Sequence, residues 1–169
     1  MRLGFRHLVA TTTALTFALI LLGVYTKAIG AGLSCGARWP LCNGAVFGLF
    51  PADWPSFVEW FHRFVAMITG FMIMGTTYAA WKRQPRTDIR WAATVALVVL
   101  PVQVLLGANT IWNYGNVAQV LHHAAALTIF AALTAATAWA FQGTTSTADT
   151  ATDADADTSA EGSSEPARL

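Results

Sequence analysis

The sequence predicts an all-α integral membrane protein, built as a bundle of four transmembrane helices. Of its 169 residues, 55% are hydrophobic and only 11% are charged, which is too apolar for an ordinary soluble domain. Long apolar stretches recur along the chain, and short polar connections separate them. The candidate spans are residues 8–28, 57–81, 91–111 and 117–141. A helix rises about 1.5 Å per residue, so each stretch is long enough to cross a hydrocarbon core of about 30 Å.

The first span resembles a cleavable signal peptide in its position near the start of the chain. It is longer than a typical apolar core of a signal peptide, and Tyr25-Thr26-Lys27 makes a poor cleavage site. We therefore expect this span to be the first helix of the bundle.

The chain divides into a membrane domain, residues 1–141, and an acidic tail, residues 142–169. The membrane domain carries nine Lys or Arg against three Asp or Glu, whereas the tail carries six acidic residues and one Arg. The tail is rich in Ala, Thr, Ser and Asp and nearly lacks large apolar side chains. It is therefore expected to be disordered and solvated in the cytoplasm.

Positive charge indicates how the spans are oriented in the cell membrane. Four basic residues lie in residues 82–90, between the second and third spans, and none lies between the third and fourth. The positive-inside rule places both termini and residues 82–90 in the cytoplasm. Residues 30–56 then form an extracytoplasmic loop, which contains both cysteines.

His62 and His122 lie at matching depth in the second and fourth spans. His62 precedes Trp81 by 19 residues and His122 precedes Gln142 by 20, so both lie near the outer membrane boundary. These spans run in the same direction, so the two imidazoles can face each other across the bundle. Ionisable groups at membrane depth usually mark function, and a facing pair suggests a metal or haem clamp. Interfacial histidines solvated by water are the alternative.

Two neighbouring features bear on the histidine pair. Small residues on the same helix faces leave a slot for a flat ligand, although close helix packing uses such residues too. They are Ala66, Thr69, Gly70, Ala125 and Ala126. His123 competes with His122 as a ligand, because the two lie about 100° apart on the helix and only one can point into the slot.

Glu59 lies three residues before His62 and shares its helix face. It could pair with Arg63 at i+4, which would stabilise the helix only slightly. It could also be a carboxylate beside a haem edge that handles protons. The spacing leaves both roles open.

Cys35 and Cys42 are the only cysteines in the chain. Outside the cytoplasm a disulfide is favoured over free thiols. It could be a structural link or a redox-active pair that relays electrons. Zinc is not expected, because two thiols without a nearby histidine pair make an incomplete site.

These motifs together resemble the haem A synthase family. Residues 26–44, with Trp-Pro-Leu-Cys near their end, resemble the family's first outer loop. Residues 59–64 resemble its Glu-x-x-His-Arg element, and residues 103–110 resemble its third-span motif. The fourth-span histidine also falls where the family has one, and the likeness covers about residues 5–140.

The resemblance implies an oxidoreductase that converts the C8 methyl of haem O to the formyl of haem A, with water as the oxygen source. The product would serve haem-copper terminal oxidases. The resemblance further implies His62 and His122 as ligands of the haem iron, Glu59 as an essential acidic residue, and Cys35 with Cys42 as the outer-loop pair. Haem O synthase and terminal oxidase assembly are implied partners, and no nucleic-acid partner is expected.

The usual bacterial family member has eight spans in two similar halves, one linked to the substrate haem and one binding a haem b cofactor. This chain resembles one half, so we expect a homodimer or higher homo-oligomer to imitate the pair. Two other functions stay open from the residues alone. One is a four-span thiol–quinone oxidoreductase that uses the cysteine pair, and the other is a bis-histidine b-type cytochrome subunit that only passes electrons.

Overall fold

The structure is a computed structural model that describes residues 4–36, 38–39, 42, 53–113 and 115–161, with only the backbone described after residue 142. Its described residues form four long helices and one short 3₁₀ helix, Ala31–Leu33. The long helices are α1 Phe5–Ala28, α2 Trp54–Arg83, α3 Thr87–Trp112 and α4 Asn116–Glu161. Each is long and apolar enough to cross a membrane, α4 over Asn116–Gln142, which confirms the predicted helical membrane bundle.

The helices pack in a ring in chain order. α1 packs against α2 and α4, and α3 likewise packs against α2 and α4. The second and fourth helices are therefore diagonal neighbours across the centre of the bundle. This arrangement lets side chains of α2 and α4 approach one another from opposite sides.

The end of the bundle at which α1 ends and α2 begins is called its outer end, and the opposite end its inner end. At the outer end, an N-terminal cap fixes the start of α2. Oδ1 of Asp53 accepts a hydrogen bond from the backbone N–H of Ser56 at 2.9 Å, and this bond holds the pKa of Asp53 below its ordinary value of 3.8. Pro55 lies in the first turn, where its missing N–H leaves no hydrogen bond unmade. The cap therefore defines where the helix that carries Glu59 and His62 begins.

The inner half of the bundle is closed by apolar packing and by hydrogen bonds between helices. One buried cluster joins all four helices, and its members are Phe5, Val9, Ala79, Ala80, Ile89, Ala93 and Ala136. Beside it, the hydroxyls of Thr12 and Thr76 are 2.8 Å apart and fully buried, and those of Thr13 and Thr137 are 2.9 Å apart. No lipid group competes for such bonds, so they hold the helices close together.

The backbone of the acidic tail is described as far as residue 161, and its disorder stays a prediction. Residues 143–161 continue α4 as a helix, and residues 162–169 lie outside the described part of the chain. Adding residues to an existing helix avoids the unfavourable nucleation step, and five alanines in this segment favour helical backbone. The tail nevertheless lacks the apolar face that would let it pack into a core.

Candidate functional site

A cavity of about 520 Å³ lies between the outer halves of the four helices. This volume falls within the range of about 300–1,000 Å³ that is typical of ligand sites. The cavity is lined by the predicted site residues Glu59, His62, His122, His123 and Cys42. Four of the predicted small residues also reach its wall, namely Ala66, Thr69, Gly70 and Ala126. The structure thus brings together most of the residues that the sequence singled out.

His62 reaches the cavity from α2 and lies against α1. Its ring nitrogen Nδ1 is buried and has no hydrogen-bond partner among the described residues. The ring packs on Gly23, where an added Cβ would lie only 3.0 Å from Cε1 of His62. The imidazole therefore occupies space that any side chain at Gly23 would need.

His122 reaches the same cavity from α4 and lies against α3. Its Nδ1 is also buried without a partner among the described residues, and a Cβ at Gly107 would lie 3.1 Å from its Cε1. Nε2 of His122 is 3.3 Å from Nε2 of Gln103. This contact is compatible with either tautomer of the ring, since the amide of Gln103 has both a donor and an acceptor. The ring nitrogen that carries no proton has the lone pair that a metal ion would use.

His123 also lines the cavity but is held by its own helix. Its Nδ1 lies 2.8 Å from the backbone carbonyl oxygen of Gln119, and its ring is perpendicular to that of His122. Since the carbonyl oxygen only accepts, Nδ1 of His123 is the donor. This bond fixes His123 beside the outer end of the cavity, which makes His122 the better candidate to face His62.

Glu59 forms the predicted pair with Arg63 at the cavity wall. Oε1 of Glu59 accepts hydrogen bonds from Nε and Nη2 of Arg63, both at 2.8 Å, and the glutamate is only 6% exposed. Nη1 of Arg63 donates to the carbonyl oxygen of Arg38 at 2.8 Å. The pairing provides the partner that a buried carboxylate requires, and it also connects α2 to the outer loop.

Cys35 and Cys42 form a disulfide over the start of α2. Their Cα atoms are 4.4 Å apart, and their sulfur atoms lie 3.9 and 4.0 Å from the carbonyl oxygen of Ser56. The Ser56 hydroxyl donates to the carbonyl oxygen of Ser34 at 3.2 Å. The disulfide thus closes the loop beside the first turn of the helix that carries Glu59 and His62, and the hydrogen bond from Ser56 to Ser34 connects the two.

The sequence interpretation missed the roles of the two glycines that contact the histidines. An internal repeat would have revealed them. Residues 21–26 and 105–110 share the pattern Leu-Leu-Gly-x-x-Thr, 84 residues apart. Residues 59–63 and 119–123 also resemble each other, as Glu-x-x-His-Arg and Gln-x-x-His-His, but they lie 60 residues apart. The α1–α2 and α3–α4 pairs are thus two versions of one arrangement.

Comparison with known proteins connects this site to a family. The chain is 36% identical over 130 residues to a protoheme IX farnesyltransferase of Halobacterium salinarum, which covers 76% of this chain and 29% of that protein. It is 34% identical over 137 residues to a heme A synthase of Bacillus licheniformis, covering 79% of this chain and 44% of that one. A heme A synthase of Bacillus pumilus is 27% identical over 150 residues, which cover 86% and 48% of the two chains.

The chain therefore spans less than half the length of these curated relatives. No solved structure matches it. A family model described as cytochrome oxidase assembly protein, COX15-CtaA, matches residues 6–59 and 51–134. The match takes in both histidines, the glutamate and the cysteine pair, and it confirms the family that the motifs indicate. The chain belongs to the COX15-CtaA family of cytochrome oxidase assembly proteins, the family of the haem A synthases.

Proposed function

We propose that this protein is a haem A synthase, which oxidises the C8 methyl group of haem O to the formyl group of haem A. One observation carries the proposal. His62 and His122 converge on one cavity from diagonal helices, and each has a buried ring nitrogen without a partner among the described residues. The relatives named heme A synthase support the same reaction.

The residues present fit a haem. A buried polar group without a partner costs about 1–3 kcal/mol, and a bound ligand can remove such a cost. The inner wall of the cavity is apolar, with Ile73, Leu100 and Ile129, whereas Lys27 and Arg63 line its outer end. A haem has the same division between an apolar ring and an edge with two carboxylates. His62 and His122 are the residues that would hold its iron.

The remaining polar groups have separable roles in this proposal. Bound haem O supplies both the methyl group to be oxidised and an iron that can pass electrons. Oxidation of the methyl group to a formyl group takes its oxygen atom from water and releases electrons and protons in equal number. The electrons pass to an oxidant from outside the cavity, of the class of a second haem or a membrane quinone. Glu59 is the carboxylate nearest to His62 along α2, so we assign it to proton transfer, with Arg63 holding it in place.

The protein is a multi-pass membrane protein, and we propose that its site opens to the extracytoplasmic side. The support is charge: Lys82, Arg83, Arg86 and Arg90 cluster at the end of the bundle opposite the cavity mouth. On this view residues 142–169 are cytoplasmic, and the disulfide loop lies where thiols are readily oxidised.

Farnesyl transfer is the activity named for some relatives, but the chain offers little for it. Prenyl transfer from a diphosphate generally needs Mg²⁺, which carboxylates hold. Residues 1–141 contain three carboxylates, Asp53, Glu59 and Asp88, and the last lies at the other end of the bundle. The match covers 29% of the Halobacterium protein. We infer that this domain acts in the step after haem farnesylation and takes the farnesylated haem as its substrate.

The reaction is tested by expression in a host that makes haem O and lacks its own haem A synthase. Haems extracted from the membranes are separated and identified by their pyridine haemochrome spectra. We expect haem A with the wild type, and none with His62→Ala or His122→Ala. His7→Ala is the matched control, because His7 is exposed at the opposite end of α1. Normal haem A in the His62→Ala strain would refute the assignment.

The same samples separate the two rival functions. A cytochrome subunit would bind haem through both histidines and leave haem O unchanged. A thiol–quinone oxidoreductase would lose quinone-dependent thiol oxidation with Cys35→Ser and would contain no haem. If the protein is a haem A synthase, conversion of haem O to haem A should instead require both histidines.

A further inference from the structure

We propose that Gly23 and Gly107 are positioning residues that set the orientation of the two histidine rings. Each glycine lets an imidazole lie directly against the backbone of the neighbouring helix. The inference rests on the proposed function, since it takes His62 and His122 as the ligands of a haem iron.

The contacts leave no room for a side chain at either position. A Cβ at Gly23 would lie 3.0, 3.6 and 3.7 Å from Cε1, Nδ1 and Nε2 of His62. At Gly107 the corresponding distances to His122 are 3.1, 3.6 and 4.0 Å. Carbon atoms pack best at about 3.5–4.0 Å, so an alanine would force the ring or the helix to move by about half an ångström. The edge that would move contains both ring nitrogens.

The two contacts are equivalent, although they lie on different helices. In each case the glycine follows two leucines and precedes a threonine by three residues, and it faces a histidine on the next helix of the chain. The closest ring atom is Cε1 both times. The same contact between a glycine and a histidine ring therefore occurs on both sides of one cavity.

The polar groups around the two histidines differ, whereas the glycine contacts do not. The α2 side has the ionic pair of Glu59 and Arg63, whereas on the α4 side Nδ1 of His123 donates to the backbone carbonyl oxygen of Gln119 at 2.8 Å. The glycine contacts are common to both sides, so they should serve a function that both histidines have in common. A ligand that must be approached by two rings in a fixed orientation is such a shared requirement.

Close contact is not a general property of glycine in this bundle. A Cβ at Gly75 of α2 would meet nothing within 4 Å, and one at Gly70 would meet only Leu100, at 3.8 Å. Gly70 lines the cavity itself, whereas Gly75 is exposed and does not. Gly75→Ala is therefore the control, because it adds the same methyl group to the helix that carries His62 without reaching the site.

The test uses the full chain, purified in detergent without haem and titrated with ferric protohaem. Electron paramagnetic resonance reports the orientation of the two axial imidazoles, and the Soret band reports affinity. We expect wild type and Gly75→Ala to give one low-spin bis-histidine signal. Gly23→Ala and Gly107→Ala should shift the g-values and weaken haem binding by about tenfold or more.

A second measurement covers the case in which the alanine variants fold poorly. Thermal unfolding of the apoprotein is compared for Gly23→Ala in the wild-type and His62→Ala backgrounds. If the loss of stability comes from contact between the added methyl group and the imidazole ring of His62, the His62→Ala background should relieve it. Equal losses in both backgrounds, or unchanged g-values and affinity in both glycine variants, would overturn the proposal. A wild type without a bis-histidine signal would instead refute the proposed function.

Discussion

Glu59 and Gln119 occupy matching positions, three residues before His62 and His122, yet only the glutamate can carry charge. The two sides of the cavity are therefore alike in shape and different in electrostatics. The proposed oxidation releases protons and would need an acceptor on at least one side. In that proposal the buried carboxylate of Glu59 takes this role, because the amide of Gln119 cannot.

The Glu59→Gln variant tests this assignment, because it replaces the carboxylate with an amide of the same size. The amide oxygen can still accept a hydrogen bond from Arg63, so haem binding should persist while proton transfer is lost. We expect haem A formation per bound haem to fall by about 10²–10⁴-fold, the usual contribution of a general acid–base group. Gln119→Ala is the control on the other side of the cavity. Unchanged conversion by Glu59→Gln would leave Glu59 with a structural role only.

Single residues could be predicted from the sequence where their chemistry is unusual for a membrane helix. The structure places both histidines, Glu59 and Cys42 around one cavity, and Cys42 is bonded to Cys35. The sequence points to these residues because imidazole, carboxylate and thiol groups are conspicuous among apolar side chains. Gly23 and Gly107 are inconspicuous, since glycine is common in such helices. Their contacts depend on which helix lies opposite, and local patterns do not specify that.

At the scale of elements, a hydrogen bond between two threonines joins α1 to α2. The hydroxyls of Thr12 and Thr76 are 2.8 Å apart, and both residues are 0% exposed. Thr12 also donates to the carbonyl oxygen of Leu8 within its own helix, at 2.9 Å. The pair lies inward of the cavity and joins the helix that carries Gly23 to the helix that carries His62.

A double-mutant cycle with Thr12→Val and Thr76→Val measures that connection. We expect a coupling of about 0.6 kcal/mol, and no more than about 1.7 kcal/mol, because hydrogen bonds between membrane helices are individually modest. The measurement is reversible unfolding in mixed micelles. Thr128→Val is the control, since the exposed Thr128 donates to Ala124 of its own helix. A coupling of zero would mean that apolar packing alone sets this contact.

On the scale of the whole molecule, the bundle is closed at its inner end and open at its outer end. Hydropathy predicts the four spans, and the short connections after α2 and α3 make those neighbours antiparallel. The diagonal placement of α2 and α4 then follows from chain order. The helical backbone of residues 143–161 was not predicted, because composition reports the lack of a core and not the ability to extend a helix.

The proposed reaction leads to a prediction about assembly. The matches cover 44% and 48% of two heme A synthases. The proposed oxidation of haem O removes electrons from the substrate, and a second redox group is required to receive them. A closed dimer of this chain would provide a second bis-histidine cavity without any new fold.

We therefore expect native mass spectrometry of the protein in detergent to show two copies. The functional test joins a wild-type chain to a His62→Ala/His122→Ala chain, with different affinity tags for isolation of the mixed dimer. If the two cavities work together, the mixed dimer should form far less than half of the haem A made by the wild-type dimer. Independent cavities would give about half, since each wild-type chain would then act alone. A fully active monomer would contradict the dimer altogether, and it would require the electrons to leave through a group other than a second haem.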